Sequence, residues 1–110
     1  MSIPTYKAEG QRGSWFAVVN GESLPCVHEH WYRKGSYHDP NAYRENPAKW
    51  DGLISALRST KRAILTKDNV VDELKSFERI GYIAVFEIDE ISLDGFDLRF
   101  RFVKRLANLT

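Results

Sequence analysis

From Phe96 to Phe102 the chain alternates without a break: Phe96, Leu98, Phe100 and Phe102 are apolar, and Asp97, Arg99 and Arg101 between them are charged. A period of two puts one set on each face, so this stretch predicts a strand with one side on a core and the other in water. Asp94-Gly95 stands in front of it, a pair suited to the positive φ of a tight hairpin turn, and Tyr82–Leu93 is the apolar run that would return alongside. That run is out of phase with itself. Tyr82, Ala84, Phe86 and Ile88 share one face, whereas Ile91 and Leu93 fall on the other. One extra residue repairs the phase, so a β-bulge is predicted at Asp89-Glu90. Ile91 then faces Leu98, Leu93 faces Phe96, Ile88 faces Phe100 and Phe86 faces Phe102. Glu87 comes opposite Arg101, and Asp89 and Glu90 share Arg99. Cross-strand pairing, rather than acid–base work, accounts for those three carboxylates.

A second hairpin opens the domain. Trp15-Phe16-Ala17-Val18-Val19 has the aromatic and β-branched composition of a strand, and Asn20-Gly21 is a strong two-residue turn signal. The return strand runs from Glu22 to about Tyr32. Pro25 within it has no N–H to donate, which places it at an edge or a bulge. Residues 1–13 are polar and aperiodic and read as a loose tail, with 14–110 as a single domain. Residues 33–46, with Gly35 and Pro40, read as a long loop. Asn46 and Pro47 suit the N-cap and first position of a helix. Trp50, Leu53, Ile54 and Leu57 then recur on one face to about Ser59. Lys61–Thr66 is a short buried strand. Asp68 or Asn69 caps a second predicted helix, with Val70, Val71, Leu74 and Phe77 on one face, ending at Gly81. The order is β-β-α-β-α-β-β. This is an α+β class: a strongly bent five-stranded sheet or small β-barrel with two helices against it.

A chain of 110 residues is one domain, large enough to bury about two-thirds of its unfolded surface. It has no run of the roughly 18 apolar residues a membrane span needs and no apolar leader at its start. Its one cysteine cannot close an intrachain disulfide. A cytoplasmic protein without a membrane partner is the expectation. The net charge of +1 hides a division. Residues 1–67 carry +4, residues 68–97 carry −7 and residues 98–110 carry +4. That balance excludes a strongly basic nucleic-acid binder but leaves room for a local basic face.

The chemistry concentrates in Leu24–Asp39, LPCVHEHWYRKGSYHD, which holds Cys26 and all three histidines, His28, His30 and His38. Cys26, His28 and His30 alternate, so on a strand they share a face. All are competent zinc ligands. Positions four apart on a strand, however, are separated by roughly 13 Å, too far for Cys26 and His30 to hold one ion. A zinc site would need His28, one neighbour, and His38 or Asp39. A thiolate at Cys26 activated by His28 or His38 needs an approach of about 3.2 Å. No metal, cofactor or catalytic residue is therefore assigned. Cys26, His28, His30 and His38 stand as the alternative, a metal-dependent or thiol enzyme. Trp31, Tyr32, Arg33, Lys34, Tyr37, Tyr43 and Arg44 combine flat rings with cations, as base stacking and phosphate contact require. With His28, His30 and His38 they form the candidate ligand surface.

The opening strand Trp15–Val19, the helices and short strand that follow, and the closing GYIAVFEIDEISLDG and FDLRFRFVKRLA strands resemble the PUA-like group of small barrels, which includes the ASCH and EVE domains. The resemblance covers about residues 14–106 and is architectural. The ASCH-type Gly-x-Lys-x-x-Glu motif is absent. It implies a pocket for nucleic acid or a nucleotide. Together these features predict a non-enzymatic binding module for RNA, DNA or a modified nucleotide. The site would lie between the Asn20-Gly21 turn and the 33–46 loop. A protein-interaction module is the third reading. Oligomeric state is not encoded in any of these features.

Overall fold

A computed structural model describes residues 3–10, 14–40, 47–72, 76–95 and 97–110. Nine strands and one α-helix are found among the described residues. The strands are β1 (Thr5–Tyr6), β2 (Ala8–Glu9), β3 (Phe16–Val19), β4 (Glu22–His28), β5 (Tyr32–Arg33), β6 (Ser36–Asp39), β7 (Arg62–Asp72), β8 (Ser76–Asp94) and β9 (Asp97–Leu109). Helix α1 (Pro47–Thr60) lies between β6 and β7, and a short 3-10 helix (Glu29–Trp31) follows β4. The strands form one open mixed sheet in the order β2-β3-β4-β7-β8-β9-β6-β5, with β1 paired to β9. The pairs β1–β9 and β4–β7 are parallel and the others antiparallel. This corrects the predicted α+β class of five strands in a bent sheet or barrel with two helices.

The missing helix explains most of the difference. Residues 68–80, predicted helical, instead extend β7 and β8 into a hairpin in which Asp68 pairs with Arg79, Val70 with Phe77 and Asp72 with Ser76. The apolar spacing fits a helix, but Val70 and Val71 are adjacent and β-branched, which favours extended backbone. Lengthening an existing ladder also avoids the cost of nucleating a new helix. Leu74 lies outside the described residues. The ladder shifts register between Leu65 and Thr66 and between Lys67 and Asp68. Each shift adds one residue to β8, and the second leaves Ile80 half-exposed at 50%.

Other expectations hold. Asn20 (φ 50°) and Gly21 (φ 80°) join β3 to β4. Pro25 is the exception: predicted at an edge or a bulge, it lies in the interior strand β4, paired with Phe16, where the antiparallel pairing with β3 ends and the parallel pairing with β7 begins at Cys26. At that hand-over a missing N–H costs little. Helix α1 buries Leu53, Ile54 and Leu57. Lys61 (φ 52°) stops it, its N–H donating to Leu57 O at 2.9 Å. The predicted N-cap, Asn46, lies outside the described residues.

The β8–β9 bulge is present, one residue further on. Asp89 pairs with Arg101 and Ser92 with Arg99, so three steps on β8 match two on β9. Glu90 at φ 55° marks it. The register differs from the predicted one by two residues at Ile88, which faces Phe102, and at Leu93, which faces Leu98, and by three at Glu87, which faces Lys104 across a further shift between Glu87 and Ile88. A two-residue slip keeps Ile88 and Leu93 on their predicted faces, and beyond Ile88 an extra residue on β9, Val103, lengthens the offset to three. The Leu93–Phe96 pair is therefore not formed, and Phe96 itself lies outside the described residues.

Two apolar clusters fill the interior. One joins Val27, Tyr37, Leu53, Ile54, Leu57, Ala63, Leu65, Ile88, Leu98 and Phe100. The other joins Ala8, Ala17, Val19, Leu24, Cys26, Ile64, Val85, Ala107 and Leu109. Residues 5–9, predicted as loose tail, are part of the sheet. Through β1 they pair with β9, and through β2 with β3.

Candidate functional site

The stretch predicted as a loop after Arg33 begins as a hairpin. Tyr32 pairs with Tyr37 and Arg33 with Ser36 around Lys34 (φ 48°) and Gly35 (φ 84°). β6 then pairs along β9, setting Tyr37 opposite Phe100 and His38 opposite Arg99. Strand alternation sends Tyr37 inward, so the residue expected to stack on a ligand is a core residue, 1% exposed. Its ring lies on Phe100 with centroids 4.6 Å apart at 13°. Burial pushes its hydroxyl well above the usual tyrosine range, Asp39 adds to that, and a backbone hydrogen bond at His28 works against it.

The other candidates separate. Tyr32 is half-buried, edge-on to Phe102 at 4.9 Å. Trp31 is half-buried against the first core cluster, with the His30 ring edge-on at 4.7 Å. Arg33 and Lys34 are exposed, and Arg33 Nη1 donates to the carbonyls of His30 and Tyr32 at 2.8 and 2.7 Å. His38 is exposed and bonded to Asp97 at 3.1 Å. That bond, with Arg99 second, holds the Asp97 carboxyl below its usual range. Tyr43 and Arg44 lie outside the described residues. Of the predicted pocket between the Asn20-Gly21 turn and the 33–46 loop, residues 41–46 lie outside the described residues, and the turn and the described part of the loop, residues 33–40, do not meet. Those two features flank opposite ends of β4, whose seven residues separate them by roughly 20 Å.

The four residues of the metal or thiol alternative are also apart. Cys26 points into the second core cluster. Burial pushes its thiol up to about 11, Arg79 pulls it down and Asp68 pushes it further up. A nucleophile or zinc ligand needs the thiolate, and this environment disfavours it. His28 Nδ1 lies 3.1 Å from Asp68 Oδ2. Among the described residues no three His, Cys, Asp or Glu side chains gather as a metal-binding group.

A polar node that the sequence did not reveal lies at the C-terminal end of β4. Asp68 has a side chain only 1% exposed. Its Oδ2 takes His28 at 3.1 Å and the Thr66 hydroxyl at 2.7 Å. Its backbone N–H donates to Glu29 Oε1 at 3.3 Å. Across the ladder stands Arg79, whose Nη2 donates to the Ser14 carbonyl at 2.5 Å and whose guanidinium lies 5.4 Å over the Tyr82 ring. Asp68 Oδ1 and Arg79 Nε and Nη1 are buried without a hydrogen-bond partner among the described residues. Next to Ser14, the Trp15 ring meets Trp50 edge-on at 4.9 Å, with Lys49 Nζ 5.6 Å above Trp15. The sequence predicts Asp68 or Asn69 as a helix cap, and only the paired strands disclose Asp68's partner.

Elsewhere a shallow cavity is lined by Asp51, Ile54, Ser55, Arg58, Ser59 and Leu93, away from these residues. Among the described residues no helix is long and apolar enough to cross a membrane. Compared with protein-family models, curated proteins and solved structures, the chain matches none.

Proposed function

We propose that the chain is a non-enzymatic binding module for nucleic acid or a nucleotide-like ligand. The observation that carries this is the docking of the cationic Arg33-Lys34 turn onto β9, where Phe102 N–H donates to Gly35 O at 2.8 Å. Strand alternation puts Arg33, Arg99 and Arg101 on one outer face with Ser36 and His38. Lys104 continues it opposite Glu87. Charge is graded across this face. The acids Glu87, Asp89 and Glu90 belong to β8, and the cations belong to β9 and the β5–β6 hairpin.

The ion pairs on it, Arg99–Asp97 at 3.4 Å and Arg101–Glu90 at 3.5 Å, are exposed and weak enough to exchange for phosphate. Lys34 and Lys104 have no ion pair among the described residues. Tyr32 and Trp31 border the face with half-buried rings. The resemblance to PUA-like domains points to the same ligand class and belongs to this proposal rather than to the fold.

Anisotropy titration with short single-stranded RNA and DNA tests it. With about three cations on phosphates, log K should fall with log salt at a slope of about −2. A Lys34→Glu, Lys104→Glu double variant should bind more weakly while keeping its circular dichroism spectrum. No binding to either strand at about 50 mM salt overturns the proposal.

A further inference from the structure

The outer face runs out at a gap in the sheet edge. On the side of β9 away from β8, β6 pairs as far as Arg101, and Phe102 N–H donates to Gly35 O at 2.8 Å. β1 takes up that side again at Asn108, whose N–H donates to Pro4 O at 2.9 Å. Between these points no strand among the described residues pairs with the edge, over a length of about 20 Å at most. An added peptide strand would need a regular row of N–H and C=O groups there. The row is broken twice. Phe102 pairs with Ile88 and Lys104 with Glu87, then Arg105 with Phe86 and Ala107 with Val85, so Val103 and Leu106 are extra residues. Bulges of this kind blunt an edge against strand addition.

What the gap does offer is a fixed guanidinium beside a second cation. Val103, Lys104 and Arg105 are all exposed. Lys104 stands opposite Glu87 on the outer face, and Arg105 stands opposite Phe86 on the other. Arg105 is exposed yet held twice: its Nε donates to Asn108 Oδ1 at 2.8 Å, and its guanidinium lies 5.9 Å over the Phe86 ring. Phe86 continues edge-to-face into Phe102 at 5.0 Å and on into Tyr32 at 4.9 Å, all three half-buried. A guanidinium plane that rests on one ring can take a second flat ring on its other side. We infer that Arg105 is a base-stacking residue and that the ligand is a single strand of nucleic acid crossing the β9 edge at this gap. Lys104 meets a phosphate on the outer face, and a base lies on the Arg105 plane. A duplex keeps its bases stacked on one another and offers no such face. The inference rests on the nucleic-acid reading of the outer face, and adds the strandedness of the ligand and the residue that holds its base.

The test is an anisotropy titration with three probes of the same length. They are a labelled oligothymidylate, its abasic counterpart, which keeps the phosphates and lacks the bases, and its duplex with oligodeoxyadenylate. The single strand is expected to bind about tenfold more tightly than either of the others. Arg105→Lys keeps the charge and removes the plane, so it should bring the single strand down to about the affinity of the abasic one. If that variant fails to fold, the three probes on the native chain still decide. Equal affinity for the natural and abasic strands overturns the inference, as does tighter binding of the duplex. So does an Arg105→Lys chain that binds the single strand as the native one does. In each of these cases salt-sensitive binding leaves the outer-face proposal standing. No binding of any probe at about 50 mM salt overturns both. Amide shifts confined to residues 103–107 with a short alternating threonine–valine peptide, and none there with oligothymidylate, overturn the inference in favour of strand addition.

Discussion

Tyr37 and Phe100 are cross-strand partners on β6 and β9 and stack with ring centroids 4.6 Å apart. The contact ties the β5–β6 hairpin to the sheet and sits under the cationic face. Tyr37→Ala should cost about 3–5 kcal/mol in urea denaturation, the range for emptying a buried aromatic site. Tyr37→Phe keeps the ring and should cost about 1 kcal/mol, the net worth of one hydrogen bond. A loop tyrosine would show neither effect.

The extended hairpin distinguishes Ile80 from Ile88. Ile80 is 50% exposed beside a register shift and Ile88 is 1% exposed. Ile80→Ala should change stability by less than about 0.5 kcal/mol, and Ile88→Ala should lower it by about 2–5 kcal/mol. Cross-strand NOEs between residues 68 and 79 would establish the ladder directly, and helical NOEs there would refute it.

Cys26 should be inert to iodoacetamide at pH 8 until the chain unfolds, because burial raises its thiol to about 11. The same shift has a sign for stability. The folded state favours the protonated thiol, so this contribution is full below the unfolded thiol value of 9.0 and is lost as pH rises toward about 11. The raised Tyr37 hydroxyl acts in the same direction. Stability measured against pH should therefore decline above pH 9, less steeply in Cys26→Ala.

Asp97 should titrate below 3.8, with the His38 hydrogen bond as the largest cause. Its lowered value means that the pair's contribution is present above the unfolded carboxylate value and disappears as pH falls through the folded one. Carbon-detected NMR of the Asp97 carboxyl should show the value rising in His38→Ala. An unchanged value would remove His38 as the cause.

Local rules read the parts of this chain that local chemistry decides. Asn20-Gly21 made its turn because positive φ is a property of those residues. Helix α1 followed from Pro47 and four apolar positions, and the β8 bulge from a phase slip that water would punish. Residues 68–80 misled because Val70, Val71, Leu74 and Phe77 keep helical spacing while Val70 and Val71 are β-branched, and only the neighbouring ladder decides between the two signals. Tyr37 misled because Gly35 suggests a loop, when Lys34-Gly35 is itself a two-residue hairpin turn. The alternation Ser36-Tyr37-His38-Asp39 was the available signal. Asp68 and Arg79 carry no local signal. They are eleven positions apart in sequence and meet only after two register shifts.

Because β1 runs parallel to the end of β9, with Asn108 N–H on Pro4 O at 2.9 Å and Thr110 N–H on Tyr6 O at 3.1 Å, the first and last described stretches of the fold meet. Thr5 and its partner Asn108 are 103 positions apart, so this pairing cannot form until β9 has been synthesised. It has the longest sequence separation in the sheet, the kind of contact that slows folding. Joining the ends with a short linker and opening the chain at Asn20-Gly21 would turn that late contact into a local one. Such a circular permutant should keep the native spectrum and fold faster than the linear chain.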